Sequence, residues 1–442
     1  MNRPMPRLLL ACVLLLTALF AGRHAQAQAL EIDIIGGNAA ALPIAVVGMD
    51  YLGTGVAPDT DIAAVIRADL NRSGAFRTLS EQDIVEKPAR LSDVNFATWR
   101  LLKQDFLLVG RVLDNGDGGY RAEFELMDVA KQERLLGLAL AGRPGNMRDV
   151  AHQIADLVYE KILGIRGAFW TRIAYVTASG LGQSIQYSLM IADADGHNPQ
   201  TVVRSREPLL SPAWSPDGRK LAYVSFERGN SSIYIQEIAT GAREVVASFR
   251  GINGAPAFSP DGSKLALTLS RSGNPEIYVM DLGSKALNQI TRHWGIDTEP
   301  VWTSDGRSLI FTSDRSGKPQ LYKVLASGGE PQRLTFQGEY NARATVCCDG
   351  KKVAMAQGSG NVYRIAVLDK TLGEPGQFLT LSPGNLDESP SFAPNGSMVL
   401  YASREGRRGV LYAVSADARV RQRLVLADGD VREPAWSPFR QR

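Results

Sequence analysis

Pro212-Ala213-Trp214-Ser215-Pro216-Asp217-Gly218-Arg219-Lys220-Leu221-Ala222-Tyr223-Val224-Ser225 is a stretch that recurs along the chain. It returns as Pro256-Ala257-Phe258-Ser259-Pro260-Asp261-Gly262 and as Pro300-Val301-Trp302-Thr303-Ser304-Asp305-Gly306. Weaker copies are Ala344-Thr345-Val346-Cys347-Cys348-Asp349-Gly350 and Pro390-Ser391-Phe392-Ala393-Pro394-Asn395-Gly396. The Trp214 position steps to 258, 302, 346, 392 and 436, so the spacing is 44, 44, 44, 46 and 44. A fixed period of that length marks a repeated supersecondary unit.

Each unit opens on a short apolar strand. A Ser-Pro-Asp-Gly turn follows, in which Pro presets φ, Asp bonds its own backbone and Gly takes positive φ. An alternating second strand, a polar loop, a Tyr-bearing third strand such as Ile233-Tyr234-Ile235 and a short fourth strand complete it. Four antiparallel strands per period make one propeller blade. The ends of the array separate a closed ring from an open stack. Pro434-Ala435-Trp436-Ser437-Pro438 stops after its first strand, whereas Arg172 to Thr177 matches a second strand with no first strand before it. The C-terminal strand therefore completes the first blade, and closure removes the exposed edges. Second strands near 173, 221, 265, 309, 353 and 399 predict six blades.

The chain has 442 residues, 44% of them hydrophobic, and a net charge of +3. That length predicts two or three domains, and the absence of a basic block argues against nucleic acid as a partner. Arg3 and Arg7, the apolar run Leu8 to Ala21 and the small residues Ala25-Gln26-Ala27 read as a cleavable signal peptide over residues 1–27. The mature chain is then exported and soluble, meeting membranes only through partners. Cys12 precedes most of the apolar run, which argues against a lipoprotein signal. Cys347 and Cys348 stand where other blades have Ser-Pro, and neighbouring cysteines bridge poorly, so they read as small packing residues.

Residues 28–165 lack the repeat and read as a small α/β domain, with the propeller over 166–442. Leu30 to Ile34 alternates like an extended strand at a free N-terminus. Pro43 to Gly48 is a buried-strand run. Asp61 to Leu70 has Ile62, Ile66 and Leu70 on one helical face with Thr60 as its cap. Phe96 to Lys103 is a second helix. Phe106 to Gly110 and Tyr120 to Leu126 flank an Asn115-Gly116 hairpin signal, and Glu133 to Leu140 adds a strand. Asn146 caps a last helix that ends at Gly164.

No dinucleotide, phosphate-loop, zinc-protease or nucleophile-elbow motif occurs, so neither catalysis nor a cofactor is expected. His152 reads as a surface or half-buried helix residue. His197 follows Asp193-Ala194-Asp195-Gly196, a calcium-loop fragment without the closing Glu, and no metal is expected there. Binding is expected on the six loops that lead into the inner strands. They carry Arg206 and Glu207; Arg250, Ile252, Asn253 and Gly254; His293, Trp294, Thr298 and Glu299; Tyr340 and Asn341; Asp387 and Glu388; and Arg432. A ring of mixed donors and acceptors suits a protein or peptide better than a hydrophobic metabolite. Glu207, Glu299, Glu388 and Glu433 read equally well as turn-closing residues between blades.

The combination of domains resembles the TolB family of the Tol–Pal envelope system. The resemblance rests on Ser248 to Ala266, Thr298-Glu299-Pro300, Leu386-Asp387-Glu388-Ser389-Pro390, Pro434 to Pro438 and, in the first domain, Ala68 to Phe76. It implies a periplasmic, non-enzymatic adaptor that supports outer-membrane integrity and invagination during division. It implies that the lipoprotein Pal binds at the propeller mouth, chiefly at Arg250 to Ala255 and His293 to Glu299. It also implies that the C-terminal domain of TolA binds the N-terminus, at Leu30, Glu31, Ile32, Asp33 and Ile34. The family pattern has His where this chain has Ile252. A monomer is expected. The alternative reading is a propeller enzyme or a carbohydrate-binding lectin; scarce His argues against the first, and Trp residues inside strands argue against the second.

Overall fold

A computed structural model describes residues 32–34, 41–180, 182–371, 373–374, 376–424, 426 and 429–441. Residues 166–441 form six antiparallel sheets arranged as propeller blades. Blade II runs Leu209–Trp214, Lys220–Ser225, Ser232–Glu237 and Arg243–Ala247. Blades III to VI repeat that order. Blade I takes three strands from its own stretch and its innermost strand, Asp430–Trp436, from the C-terminus. Trp436 pairs with Ile173 and Ala435 with Ala174, so the ring closes as the repeat count requires.

The turns hold the ring at one end. Ser215 Oγ accepts from Lys220 N at 2.9 Å, while Asp217 Oδ1 accepts from Ser215 Oγ at 2.5 Å and from Arg219 N at 3.0 Å. The Gly of each turn has positive φ, as in Gly218, Gly262 and Gly306. It also lies against the neighbouring blade's turn: a Cβ on Gly262 would meet Pro216, and one on Gly306 would meet Pro260. Trp214 and Trp302 staple neighbours from the side, each indole N–H donating at 3.0 Å to a backbone carbonyl of the adjacent blade, Ala435 and Ala257. Apolar side chains fill the seams between blades, such as Leu265, Leu267 and Tyr278 against Val224 and Ile233.

The inner strands are longer than the Pro-x-Trp pattern suggests. Each begins two to four residues before the Pro position and contains a bulge, as between Leu210 and Ala213 or Thr298 and Val301. At the bulge of every inner strand sits one residue with positive φ: Ser211, Ala255, Glu299, Arg343, Ser389 and Glu433. A bulge re-aims the strand and breaks its alternation. Asn253, Gly254, Thr298, Glu299, Tyr340, Asn341, Glu388 and Arg432 are therefore strand residues, not loop residues.

The N-terminal domain is a mixed sheet. Its strands are β2 (Leu42–Val46), β3 (Asp50–Tyr51), β4 (Phe76–Thr78), β5 (Phe106–Asp114), β6 (Tyr120–Asp128) and β7 (Glu133–Gly142), in the order β4-β2-β5-β6-β7 with β3 on β5. Helices α1 (Ile62–Arg72) and α3 (Met147–Leu163) cover one face, burying Ile44, Val46, Ile66, Leu70, Ile154 and Val158. The short helix α2 (Phe96–Leu101) covers the other face over Ala45, Val47, Leu107 and Val109. Asp61, not Thr60, caps α1: its carboxylate accepts from Ala64 N, and the helix starts one residue later than Thr60 would allow. Asn146 precedes α3, but its side chain accepts from Arg143 N instead of capping the helix. Gly164 ends α3 in the left-handed conformation at φ 75°. No helix among the described residues is long and apolar enough to cross a membrane.

The first strand, β1 (Ile32–Ile34), is not free. It pairs antiparallel with Val420–Arg423 as a fifth strand on the outer edge of blade VI, Asp33 opposite Arg421. The two domains are joined through the turn end of the propeller. Arg440 forms two hydrogen bonds to Asp149 of α3, at 2.7 and 3.0 Å, and stacks on Trp170. Asn395, in the blade VI turn, donates to Arg166 O at 3.0 Å.

Candidate partner-binding face of the propeller

Antiparallel blades put the Ser-Pro-Asp-Gly turns at one end of the ring and the loops between blades at the other. The N-terminal domain occupies the turn end, so the inter-blade loops form the opposite face. On that face stand Ile252 (51% exposed), Trp294 (76%), Ile296 (47%), Phe336 (70%) and Leu386 (48%). They come from four consecutive loops, leading into blades III, IV, V and VI. Together they form an apolar arc around part of the mouth. Arg206, Glu207, Arg250 and Glu388 are exposed beside or beyond it. Large apolar side chains with a charged periphery are the composition of a protein-binding patch.

The loops are rigid under this arc. Asn253 is fully buried: its amide donates to Phe249 O at 2.7 Å and Ser231 O at 2.9 Å, and its oxygen accepts from Phe249 N at 2.8 Å. Those bonds fix the loop that presents Ile252. Asn341 does the same one blade pair later, donating to Gln320 Oε1 at 2.9 Å and Gln337 O at 2.8 Å. Asp387, also buried, accepts from Ser403 Oγ at 2.5 Å. Beneath Trp294, the His293 N–H donates to Glu276 Oε1 at 2.7 Å and its ring accepts from Gly295 N at 2.9 Å. Burial moves the Glu276 carboxyl upward despite its bonds from Thr291 and His293. Asn253, Asn341 and Asp387 thus shape the face from below, whereas Ile252, Trp294, Arg250 and Glu388 are open to a partner. Tyr340 packs edge-on against Tyr363 at 5.1 Å and, with Leu386, Glu388 and Arg404, lines a depression of about 450 Å3.

Inside the mouth the bulge residues meet. Arg343 Nε donates to Glu299 Oε1 at 2.8 Å, and its terminal nitrogens reach Glu433 Oε1 at 3.0 and 3.1 Å and Ser389 Oγ. Glu433 Oε2 accepts from Ser211 N at 3.3 Å. Burial alone would lower the Arg343 pKa, but the charges of Glu433 and Glu299 raise it, so the guanidinium stays charged. Glu299 and Glu433 therefore serve an ion-pair network across the axis. Glu207 and Glu388 lie outside that position, on the exposed side.

A second charged cluster joins the domains and was not legible as such. His152 of α3 is 1% exposed, not a surface residue. Its Nδ1 lies 2.6 Å from Asp69 of α1, and its Nε2 lies 3.8 Å from Asp195 in the blade I turn. Arg72 binds Asp69 at 2.9 Å, and Arg148 binds Asp195. Asp69, His152 and Asp195 are close enough to share a metal ion, but the two guanidiniums already balance both carboxylates. Burial would raise the Asp195 pKa; the His197 bond and the charges of His152, Arg72 and Arg148 hold it well below the usual carboxylate range. The calcium-like turn is occupied by this interdomain network.

Comparison with known proteins agrees with both halves of the fold. Residues 30–135 match the TolB amino-terminal domain, and residues 159–440 match the TolB beta propeller domain. The chain belongs to the TolB family. It is 74% identical over 440 residues to the Tol-Pal system protein TolB of Xanthomonas campestris pv. campestris (strain B100), covering 100% of this chain and 99% of that one. It is 73% identical over 440 residues to that of Xanthomonas oryzae pv. oryzae (strain KACC10331 / KXO85), with the same coverage. Among solved structures, the crystal structure of TolB from Acinetobacter baumannii superposes with a TM-score of 0.84 at 42% identity, over 93% of this chain and 100% of that chain. The signal peptide expected over residues 1–27, and Leu30 and Glu31 of the expected TolA segment, lie outside the described residues. The backbone of Ile32, Asp33 and Ile34 is the docked β1 strand.

The sequence singled out Ile252 and Trp294 on this face; Ile296 and Leu386 fell within the expected loops without being singled out, and the exposed Phe336 was not among the expected residues. The signal was present: each is a large apolar residue flanked by Gly or polar residues just ahead of an inner strand. It also read Glu299 without seeing that Arg343, at the equivalent repeat position, pairs with it and joins it to Glu433.

Proposed function

We propose that this TolB-family chain is a non-enzymatic periplasmic adaptor of the Tol–Pal system that captures the lipoprotein Pal at the propeller mouth. The apolar arc from Ile252 to Leu386 carries this reading. It is rigidly supported, opposite the N-terminal domain, and rimmed by charge, as a protein interface requires. The core of the interface is Trp294 with Ile252, Ile296 and Phe336; Arg206, Glu207, Arg250 and Glu388 form its polar surround. Where the family has His, Ile252 supplies an apolar contact. Titrating the exported protein with the soluble domain of Pal tests the reading: Trp294→Ala should weaken capture with the fold intact, and unchanged affinity would remove the arc from the site.

The N-terminal segment around Ile32, Asp33 and Ile34 binds the C-terminal domain of TolA in this proposal, by adding a strand to that domain's sheet. Blade VI links the two sites. Its outer edge holds β1, while its inner end carries Leu386, Asp387 and Glu388 at the mouth. Pal at the mouth then alters how firmly β1 is held, and so how readily TolA takes it. This coupling supports outer-membrane integrity and invagination during division. TolA affinity measured with and without Pal decides it; equal values would refute the coupling.

A further inference from the structure

At the junction of the domains, α1 meets Val420–Arg423, the strand of blade VI that carries β1. The approach is close: Gly74, just after α1, turns with φ 71°, and a Cβ there would collide with Val420. Beside that contact lies a cavity of about 20 Å3, whose lining includes Arg72, Phe169, Met398, Ala413, Gln422 and Trp436. That is room for one water or one monatomic ion. Arg72 is 6% exposed and Gln422 1%. Arg72 Nε and Nη2 and Gln422 Nε2 are buried donors with no hydrogen-bond partner among the described residues. Arg72 Nη2 lies 2.9 Å from Asp69 Oδ1, an ion-pair distance, but without the angle of a hydrogen bond.

A buried donor left unmade is costly, most of all on a charged group. All three of these groups donate, so what satisfies them must accept. The lining oxygens Ser73 Oγ and Asn395 Oδ1 are already engaged. Ser73 Oγ donates to Leu70 O at 2.6 Å and accepts from Ala75 N at 3.2 Å. Asn395 Oδ1 accepts from Ser397 N at 3.1 Å and Ser397 Oγ at 2.8 Å. A water has two hydrogens to place, and these oxygens offer it little; a monatomic anion has none. Charge points the same way. Arg72, Arg148 and His152 face Asp69 and Asp195, so with His152 protonated the cluster keeps one positive charge. The last carbonyls of α1, which would repel an anion, are taken up by Ser73 N, Ser73 Oγ and Gly74 N.

We propose that this cavity is a site for one monovalent anion of the chloride class, held by Arg72 Nε and Nη2 from the first domain and by Gln422 Nε2 from blade VI. No covalent bond forms or breaks. The ion ties α1 to the strand that pairs with β1, since Gln422 stands opposite Ile32. It then stabilises the folded chain by mass action. The cavity lies at the turn end of the ring, away from the partner-binding arc, so the proposal is independent of Pal capture.

The test uses the full chain at constant ionic strength, with chloride exchanged for gluconate, an anion too large for the cavity. The Tm should rise by about 1–2 °C for each tenfold rise in chloride above its dissociation constant. Gln422→Leu keeps the size of the side chain and removes the donor. It should move the chloride response to about tenfold higher concentration or beyond, and circular dichroism verifies its fold. Gln422→Glu puts a carboxylate in the cavity and should abolish the response. Crystals grown with bromide in place of chloride should show one anomalous peak between Arg72 and Gln422. Equal Tm in chloride and gluconate, an unshifted response in Gln422→Leu, or water alone in the cavity would overturn the proposal. So would a bromide peak without a chloride-dependent Tm, which marks binding at crystal concentration only.

Discussion

Arg343 and Glu433 are ninety residues apart in sequence and form an ion pair at 3.0 Å, from inner strands that do not adjoin, one in blade V and one closing blade I. With Glu299 of blade IV they bind three blades across the axis. Removing the guanidinium leaves two carboxylates facing each other in a confined channel. Breaking a fully buried pair costs about 3–5 kcal/mol, but Arg343 keeps 30% side-chain exposure. Arg343→Met should therefore cost roughly 2–3 kcal/mol by denaturant unfolding. Adding Glu433→Gln should recover part of that loss, and a strictly additive double variant would show that the pair is not coupled.

The domain junction makes stability depend on pH. Burial would lower the His152 pKa, but the charge and hydrogen bond of Asp69, with Asp195 adding, raise it; Arg72 opposes them. Arg148 and His197 face the same cluster through Asp195. A group with a raised folded pKa stabilises fully below its unfolded value, about 6.5, and loses that stabilisation as pH rises through the folded one. The Tm should therefore fall as pH rises above about 6.5. His152→Gln should flatten that limb, and a profile unchanged by the substitution would contradict the assignment.

Asp156 supplies a second pH effect of the same sign. Burial pushes its carboxyl up to about 6, although the Phe169 and Trp170 backbone N–H groups hold it down. At neutral pH the fold therefore carries a charge that it disfavours. Asp156→Asn keeps an acceptor for Phe169 N, which lies 2.8 Å from Asp156 Oδ1. It should stabilise the chain by roughly 1–3 kcal/mol at pH about 8, with the gain gone below pH about 4. A loss of stability at pH 8 would show that the ionised form is needed.

Asn253 and Ile252 are neighbours with different roles, and substitution should separate them. Asn253→Ala strips bonds from buried backbone groups and should cost roughly 2–4 kcal/mol of stability. Ile252→Ala should leave stability within about 0.5 kcal/mol, as for an exposed site, while lowering partner affinity. Equal stability losses in the two variants would contradict this division.

How much of this was legible follows from how local each signal is. The Ser-Pro-Asp-Gly turn is set by four adjacent residues, so blade count and closure could be read from spacing alone. The inner strands, five to seven residues long, could not, because a bulge residue such as Glu299 or Arg343 interrupts the alternation on which strand reading depends. Asn253 and Asp387 looked like loop tips for the same reason, although their side chains face inward. His152 was misread because its partners come from α1 and from blade I, far away in sequence, and no local pattern brings them together. β1 read correctly as extended, but nothing in its own residues names the edge of blade VI as its place.

Capture of Pal by the apolar arc is the central proposal. Calorimetric titration of the soluble domain of Pal into the chain and its Trp294→Ala variant tests it most directly, with circular dichroism confirming the fold of both. A central aromatic anchor contributes about 2 kcal/mol or more, so affinity should fall at least about thirtyfold in the variant. Unchanged affinity in Trp294→Ala, and again in Phe336→Ala, would contradict the account.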